Sequence, residues 1–304
     1  MGKIAFVFSG QGAQYSGMGK ELYEISEAAK KVFKIADSIR KNTSQQCFSG
    51  SGEELGQTIN TQPALFCVDL AAAETLKESG ICPDMAAGFS LGEIPALAFC
   101  GALSIEDAFE LVCKRAEFMA ECTRQTKGEM IAILGLEPDK VKELCENIET
   151  VYPVNYNSDS QTVAAGDTKG IIELSDMVKL AGGKAIKLEV SGAFHSPYMN
   201  GASEQMALYL KNIDFTVPVI PIYANSTAQV YTDKILISKQ INNPVLWNQT
   251  IKQMIKDGAD TFIEVGAGKV LTGLIRKISK DVKVLHVENE ETLEKTRKEI
   301  LANG

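Results

Sequence analysis

One pentapeptide constrains the fold of this chain more than any other segment: Gly88-Phe89-Ser90-Leu91-Gly92, preceded by Met85-Ala86-Ala87 and followed by Glu93-Ile94. The apolar run predicts a buried strand, and a helix is expected to begin at Leu91-Gly92-Glu93-Ile94. The two glycines remove side chains that would crowd a tight turn between strand and helix. A serine on such a turn has an exposed Oγ, and the unpaired N–H groups of the new helix point at any oxyanion formed there. A turn serine with no catalytic task would need none of this context. The setting therefore favours a nucleophile on an α/β scaffold.

A serine nucleophile needs a base, and the chain has only two histidines, His195 and His286. His286 stands in the alternating run Val282-Lys283-Val284-Leu285-His286-Val287, a late strand in which a structural histidine is expected. His195 stands in Ser191-Gly192-Ala193-Phe194-His195-Ser196-Pro197, a loop of small residues just after an apolar strand. Catalytic side chains collect on loops at strand ends, so His195 is the expected base.

The pattern along the chain predicts a strand at Ile4–Phe8, a glycine-rich loop over Ser9–Gly19 and a helix from Lys20 to about Ile39. A second helix is expected over Gln62–Ser79, capped by Thr61 with Pro63 in its first turn, and a third over Ser104–Cys122 with a capping-box start. After Lys127-Gly128 the order becomes strand, helix, strand, strand, helix, strand, closing at Ala185–Val190. That is the ferredoxin-like split βαβ unit. The expectation is a large α/β-hydrolase-like domain with a mostly parallel sheet (residues 1–126 and 191–304) and a small ferredoxin-like domain, βαββαβ, inserted at 127–190. The groove between them would hold Ser90 and His195.

Composition narrows the class. With 304 residues the chain can bury a large core. Net charge of −8 argues against a general nucleic-acid binder, and no apolar run is long enough to span a bilayer. The start of the chain shows no signal-peptide pattern, and seven scattered cysteines without a C-x-x-C pair read as reduced thiols of a cytoplasmic protein. Two histidines and dispersed cysteines make a metal site unexpected. The loop Gly10–Gly19 has neither the G-x-G-x-x-G spacing nor the lysine-plus-hydroxyl ending of phosphate-binding loops.

Seven segments in order carry a resemblance: Gly10-Gln11-Gly12-Ala13-Gln14, Thr61-Gln62-Pro63-Ala64-Leu65, Gly88–Glu93, Arg115 to Met119, Gly192–Ser196, Asn243–Trp247 and Glu264–Leu274. Through them the chain resembles, nearly end to end, the acyltransferase family of fatty-acid and polyketide synthesis, the malonyl-CoA:acyl carrier protein transacylases. The resemblance implies Ser90 as nucleophile and His195 as general base and acid. It implies the backbone N–H groups of Gln11 and Leu91 as the oxyanion hole. The histidine would be oriented by the backbone carbonyl of Gln240, whose side chain is then expected to matter little. Arg115 would grip a malonyl carboxylate with two parallel hydrogen bonds, and Gln62, Met119, Phe89 and Phe194 would complete the acyl pocket.

Phe89 departs from the family, which has a histidine before the nucleophile. Ser9 and Ala267 replace common prolines, and Ala116 a glycine. The implied partners are a CoA thioester and phosphopantetheinylated acyl carrier protein, with no cofactor, and the chain is expected to act as a monomer. Lys184, Lys187 and Lys269 are candidates for meeting an acidic carrier protein or CoA phosphate. Two other enzyme readings share the same dyad: a polyketide acyltransferase of broader selectivity, and an acyl-thioester hydrolase that uses water as acceptor. A non-catalytic docking subunit would instead carry a damaged dyad, and Ser90, His195 and Gln11 are all present.

Overall fold

The computed structural model describes residues 2–190 and 192–301. Nine strands form two sheets among these residues. The larger is built from β1 (Lys3–Phe8), β2 (Met85–Gly88), β7 (Ile222–Tyr223), β8 (Ala259–Val265) and β9 (Lys283–Val287), in the order β7-β2-β1-β8-β9. Every pairing in it is parallel, so the sheet is wholly and not merely mostly parallel. The order reverses at β1, between β2 and β8, which makes the sheet doubly wound and places the crevice for ligands at the carboxyl ends of these strands.

Helices cover both faces, as a parallel sheet requires. The alternation in β1 shows it directly: Ile4, Phe6 and Phe8 join one core cluster, Ala5 and Val7 the other. The helix Thr58–Glu78 runs through the larger cluster, with Ala64 to Val68 and Leu70 to Ala73 fully shielded from solvent.

The second sheet joins β3 (Glu129–Leu134), β4 (Val151–Ser158), β5 (Gln161–Gly166) and β6 (Lys184–Lys187) in the order β4-β5-β3-β6, all antiparallel. With the helices Pro138–Glu146 and Thr168–Leu180 this is the ferredoxin-like arrangement. One face of the sheet packs Ile131, Ile133 and Ala164 on its own two helices. The opposite face, with Met130, Ala132, Val163 and Ala165, packs into the main core of the large domain. The protein is therefore a large α/β domain with a small inserted one. Residue 191, where the chain was expected to return to the large domain, lies outside the described residues.

Several elements differ from the sequence expectation. The single helix expected over residues 20–39 is two, Lys20–Ile25 and Glu27–Ile39, because Ser26 is extended and accepts a hydrogen bond from Ala29 N–H at 3.1 Å as the cap of the second. The second expected helix starts at Thr58, so Thr61 is not its cap; its hydroxyl donates back to the Gln57 carbonyl at 2.9 Å, and Pro63 lies inside the helix. The strand expected at Val219–Ala224 shrinks to Ile222–Tyr223. Helices at Thr43–Ser49, Gly52–Gly56 and Ile235–Asn242 were not anticipated.

Candidate active site

β2 ends at Gly88, and Ser90 opens a single 3-10 turn, Ser90–Gly92, that runs straight into the helix Glu93–Phe99. A Cβ on Gly88 would lie 2.0 Å from the Gly92 carbonyl carbon, so only glycine permits so tight a return of the chain. Ser90 itself has φ 54°, a left-handed conformation that a side-chain-bearing residue adopts only under constraint. Its N–H donates to Asn225 Oδ1 at 2.7 Å, and Asn225 Nδ2 donates to the Gly88 carbonyl at 2.6 Å, a clamp across both sides of the turn.

Ser90 Oγ and His195 Nε2 lie 2.7 Å apart. His195 Nδ1 lies 2.9 Å from the Gln240 carbonyl oxygen. A carbonyl can only accept, so Nδ1 carries the hydrogen and Nε2 presents its lone pair to the serine. Burial, and then the Arg115 guanidinium, push His195 down to about 4, which keeps it neutral and basic near neutral pH. His286 stands apart on β9, its Nε2 3.7 Å from Glu288 Oε1, as a structural histidine would.

The loop after β1 lies against this turn. A Cβ on Gly10 would come 2.7 Å from the Phe89 carbonyl oxygen, so glycine lets the Gly10-Gln11 backbone run beside the elbow. Leu91 N–H belongs to the first turn of the helix, where no intrahelical acceptor exists. Gln11, Ser90, Leu91 and His195 all line one cavity of about 90 Å³ together with Gln62, Phe89, Arg115, Met119 and Phe194. Every residue named for the site from sequence, Gln240 excepted, borders this space, and Gln240 lies immediately behind it.

Arg115 is 1% exposed, on the helix Ile105–Gln125. Nη1 donates to Gln62 Oε1 at 2.7 Å, and Nη2 to Gln240 Oε1 at 2.7 Å and to Ser90 Oγ at 3.2 Å. Gln62 Nε2 in turn reaches Met119 Sδ at 3.4 Å. The Nε–H is buried with no partner. Burial lowers the guanidinium to about 10, so it stays charged.

Two expectations change here. The Gln240 side chain, expected to matter little, is a centre of the site: besides accepting from Arg115, its Nε2 donates to the Ser90 carbonyl and, at 2.9 Å, to Glu93 Oε2. It is held there because the unanticipated helix Ile235–Asn242 packs it under the elbow, 1% exposed. Glu93, which ends the G-x-S-x-G-E segment, was not named for the site. Its wholly buried carboxylate accepts from Asn225 N–H, from Tyr231 OH at 2.8 Å and from Gln240. Burial raises it to about 7. Phe89 turns its ring edge-on to Trp247, centroids 5.3 Å apart.

A second cavity of about 210 Å³ adjoins the first across Gln11 and Phe89, lined by apolar Val163, Leu188, Val270 and Leu271 and by Asn155 and Asn157. Both asparagine Oδ1 atoms are buried without a partner, so this slot suits a chain carrying amide N–H groups. Lys187 pairs with Glu129 at 2.8 Å on the small sheet. Among the described residues, no three of His, Cys, Asp and Glu converge as a metal ion would need, and no helix is long and apolar enough to cross a membrane.

Residues 5–301 match the acyl transferase domain, and the chain belongs to that family. It is 43% identical over 304 residues to the malonyl CoA-acyl carrier protein transacylase of Bacillus subtilis, covering 97% of this chain and 96% of that one. The crystal structure of the Clostridium perfringens malonyl CoA-acyl carrier protein transacylase superimposes with a TM-score of 0.95 at 37% identity, covering 99% of this chain and all (100%) of that one. A malonyl-transacylase solved in complex with a type II PKS acyl-carrier protein gives a TM-score of 0.94 at 30% identity, over 98% of this chain and 99% of that one.

Proposed function

We propose that this chain transfers a malonyl group from malonyl-CoA to the phosphopantetheine thiol of acyl carrier protein, in two half-reactions through a malonyl ester of Ser90. The observation that carries it is the meeting of three groups at one atom: Ser90 Oγ lies 2.7 Å from a neutral histidine nitrogen and 3.2 Å from a buried guanidinium, inside an acyl-sized cavity. In the first half, Ser90 Oγ attacks the thioester carbonyl as its proton passes to His195 Nε2. The Leu91 and Gln11 N–H groups hold the resulting oxyanion. Collapse breaks the C–S bond, and the departing CoA thiolate takes the proton from His195.

In the second half, the carrier's thiol gives its proton to His195, and the thiolate attacks the ester carbonyl. Collapse breaks the C–O bond and Ser90 recovers its proton. A thiolate leaves readily, so a histidine oriented by a carbonyl suffices without an aspartate. Gln62 and Gln240 each hold one N–H of Arg115, on Nη1 and Nη2. The second N–H of each nitrogen, that of Nη2 released from Ser90 Oγ as the serine is acylated, is offered to a malonyl carboxylate. The slot beside Asn155 and Asn157 suits the pantetheine arm, whose amides would answer their unpartnered oxygens. The exchange is redox-neutral and calls for no cofactor. Seven free cysteines suit a reducing cytoplasm. One groove holds all the residues named, so a monomer suffices.

Intact-mass measurement after incubation with malonyl-CoA tests this. A malonyl adduct, absent in Ser90→Ala and discharged by phosphopantetheinylated carrier protein, is the expected result. Release of free malonate without carrier, as fast as CoA appears, would identify a hydrolase instead. Neither an adduct nor CoA release would overturn both.

A further inference from the structure

We propose that Glu93 is a positioning residue that keeps Arg115 aimed at the acyl group, acting through the side-chain amide of Gln240. The inference rests on Arg115 being the carboxylate-binding group, as assigned above.

Arg115 is 1% exposed, yet its three partners, Gln62 Oε1, Gln240 Oε1 and Ser90 Oγ, are uncharged. A guanidinium removed from water is costly to hold on neutral acceptors alone and needs a counter-charge. Glu93, wholly buried, supplies it, and each group stabilises the charged form of the other. No hydrogen bond joins them directly. Gln240 stands between, its oxygen 2.7 Å from Arg115 Nη2 and its NH2 2.9 Å from Glu93 Oε2. Cation and anion together demand that orientation, because a flipped amide would set NH2 against the guanidinium and oxygen against the carboxylate.

Glu93 is itself pinned by the Asn225 N–H and the Tyr231 hydroxyl. Without the carboxylate, the Gln240 NH2 keeps only the Ser90 carbonyl, and the charge that fixed the sense of the amide is gone, so it can turn over. Arg115 then loses an acceptor and its counter-charge together. The Gln240 backbone carbonyl, which orients His195, is fixed by the helix and stays in place. Glu93 therefore governs discrimination between malonyl and acetyl more than it governs the serine-histidine chemistry.

The test compares Ser90 acylation by malonyl-CoA and by acetyl-CoA in wild type, Glu93→Gln, Gln240→Leu and the double variant, from about pH 5.5 to about 8.5. The groups facing the Glu93 carboxylate are Arg115, Tyr231, Gln240 and Asn225; Arg115, at about 10, and Tyr231, well above its ordinary value, do not titrate in that range. His195 serves both acyl donors, so its effect cancels in their ratio. In wild type the malonyl-over-acetyl ratio falls as pH drops through about 7, where Glu93 takes up a proton. In Glu93→Gln the ratio falls roughly 10- to 100-fold and becomes independent of pH, because the loss falls mainly on malonyl loading. Gln240→Leu gives the same loss, and the double variant loses no more than either single one.

A wild-type ratio with wild-type pH dependence in Glu93→Gln overturns the inference. So does an equal loss for both donors, which would mean that Glu93 only supports the elbow. Should Glu93→Gln not fold, full discrimination in Gln240→Leu overturns it. A wild-type protein that takes malonyl no better than acetyl would instead overturn the assignment of Arg115 on which this one stands.

Discussion

Ser90 and His195 meet at 2.7 Å from backbones that are both left-handed, with φ 54° and φ 60°. Two side-chain-bearing residues in that region on opposite sides of one hydrogen bond mark strain held by the surrounding packing. At Ser90 the strain and the hydroxyl can be separated. Ser90→Ala and Ser90→Gly both remove the nucleophile, but only glycine relieves the backbone. Chemical denaturation should show Ser90→Gly more stable than Ser90→Ala by about 0.5–1 kcal/mol, with neither forming an acyl-enzyme. Equal stabilities would mean that the turn is unstrained.

Arg115 is the residue whose loss should separate acyl groups by charge. Removing it takes two charge-assisted hydrogen bonds from a malonyl carboxylate, so Arg115→Ala should lower kcat/KM for malonyl-CoA roughly 100-fold or more. Acetyl loading should suffer far less. Arg115→Lys keeps the charge but not the planar fork, and should fall between. Steady-state transfer with both donors reads this directly; unchanged malonyl preference in Arg115→Ala would remove the carboxylate role.

The parts of this site that sequence made legible are the ones fixed by local chain geometry. The elbow is a strand end, two glycines and a helix start within a few residues, and the βαββαβ order follows from short alternating runs. Gln240 and Glu93 show why the rest was not. Their hydrogen bond spans 147 positions, and nothing in either neighbourhood announces the other. The helix that carries Gln240 opens with Ile235-Leu236-Ile237, an apolar run whose two β-branched isoleucines have strand character, and its turn is decided by packing of Ile237 and Ile241. The backbone carbonyl of Gln240 came from the family resemblance, and the side chain could be seen only once that helix was placed.

His195 should leave acylation insensitive to mild acid. Held at about 4 by burial and by Arg115, it remains an unprotonated base well below the ordinary histidine range. Acetyl-CoA, which lacks the carboxylate that involves Arg115, isolates this effect. Stopped-flow loading should be flat from about pH 8 to about 5 and fall only below that. A midpoint near 6.5 would mean that the imidazole is solvated before substrate arrives.

Stability should decline as pH rises toward 7. Burial holds Glu93 and Glu264 at about 7 against 4.5 for the ordinary group, and raises Asp69 in the same direction. The folded chain thus binds protons that the unfolded chain has released, and this contribution to stability is lost as pH climbs through that window. His195 works oppositely, adding stability as pH rises from about 4 to 6.5, so the carboxyl effect is cleanest between 6.5 and 7. Glu93→Gln removes one carboxyl contribution. The wild-type advantage over it should shrink by an amount on the order of 3 kcal/mol between pH 4.5 and 7. A urea-unfolding difference that does not vary with pH would show that Glu93 titrates alike in the folded and unfolded chain.

Phe194 should set how wide an acyl group Ser90 accepts. It is 6% exposed, immediately precedes the base, and lines the same cavity of about 90 Å³ as Ser90, Arg115 and Met119. A methyl branch on the α-carbon of malonyl has to fit beside that ring while the carboxylate stays on Arg115. Phe194→Ala opens the space, and discrimination of a single methyl is worth roughly 10- to 200-fold in a closely fitting pocket. Methylmalonyl-CoA loading should therefore rise relative to malonyl-CoA by roughly tenfold. The truncation costs about 3 kcal/mol in stability, the low end for a buried phenylalanine, because the hole opens into an existing cavity that water can enter. Competition between the two donors for one pool of enzyme, read by intact mass, gives the ratio directly. A ratio unmoved by Phe194→Ala would place the limit on branching at Met119 or Gln62, which line the same cavity.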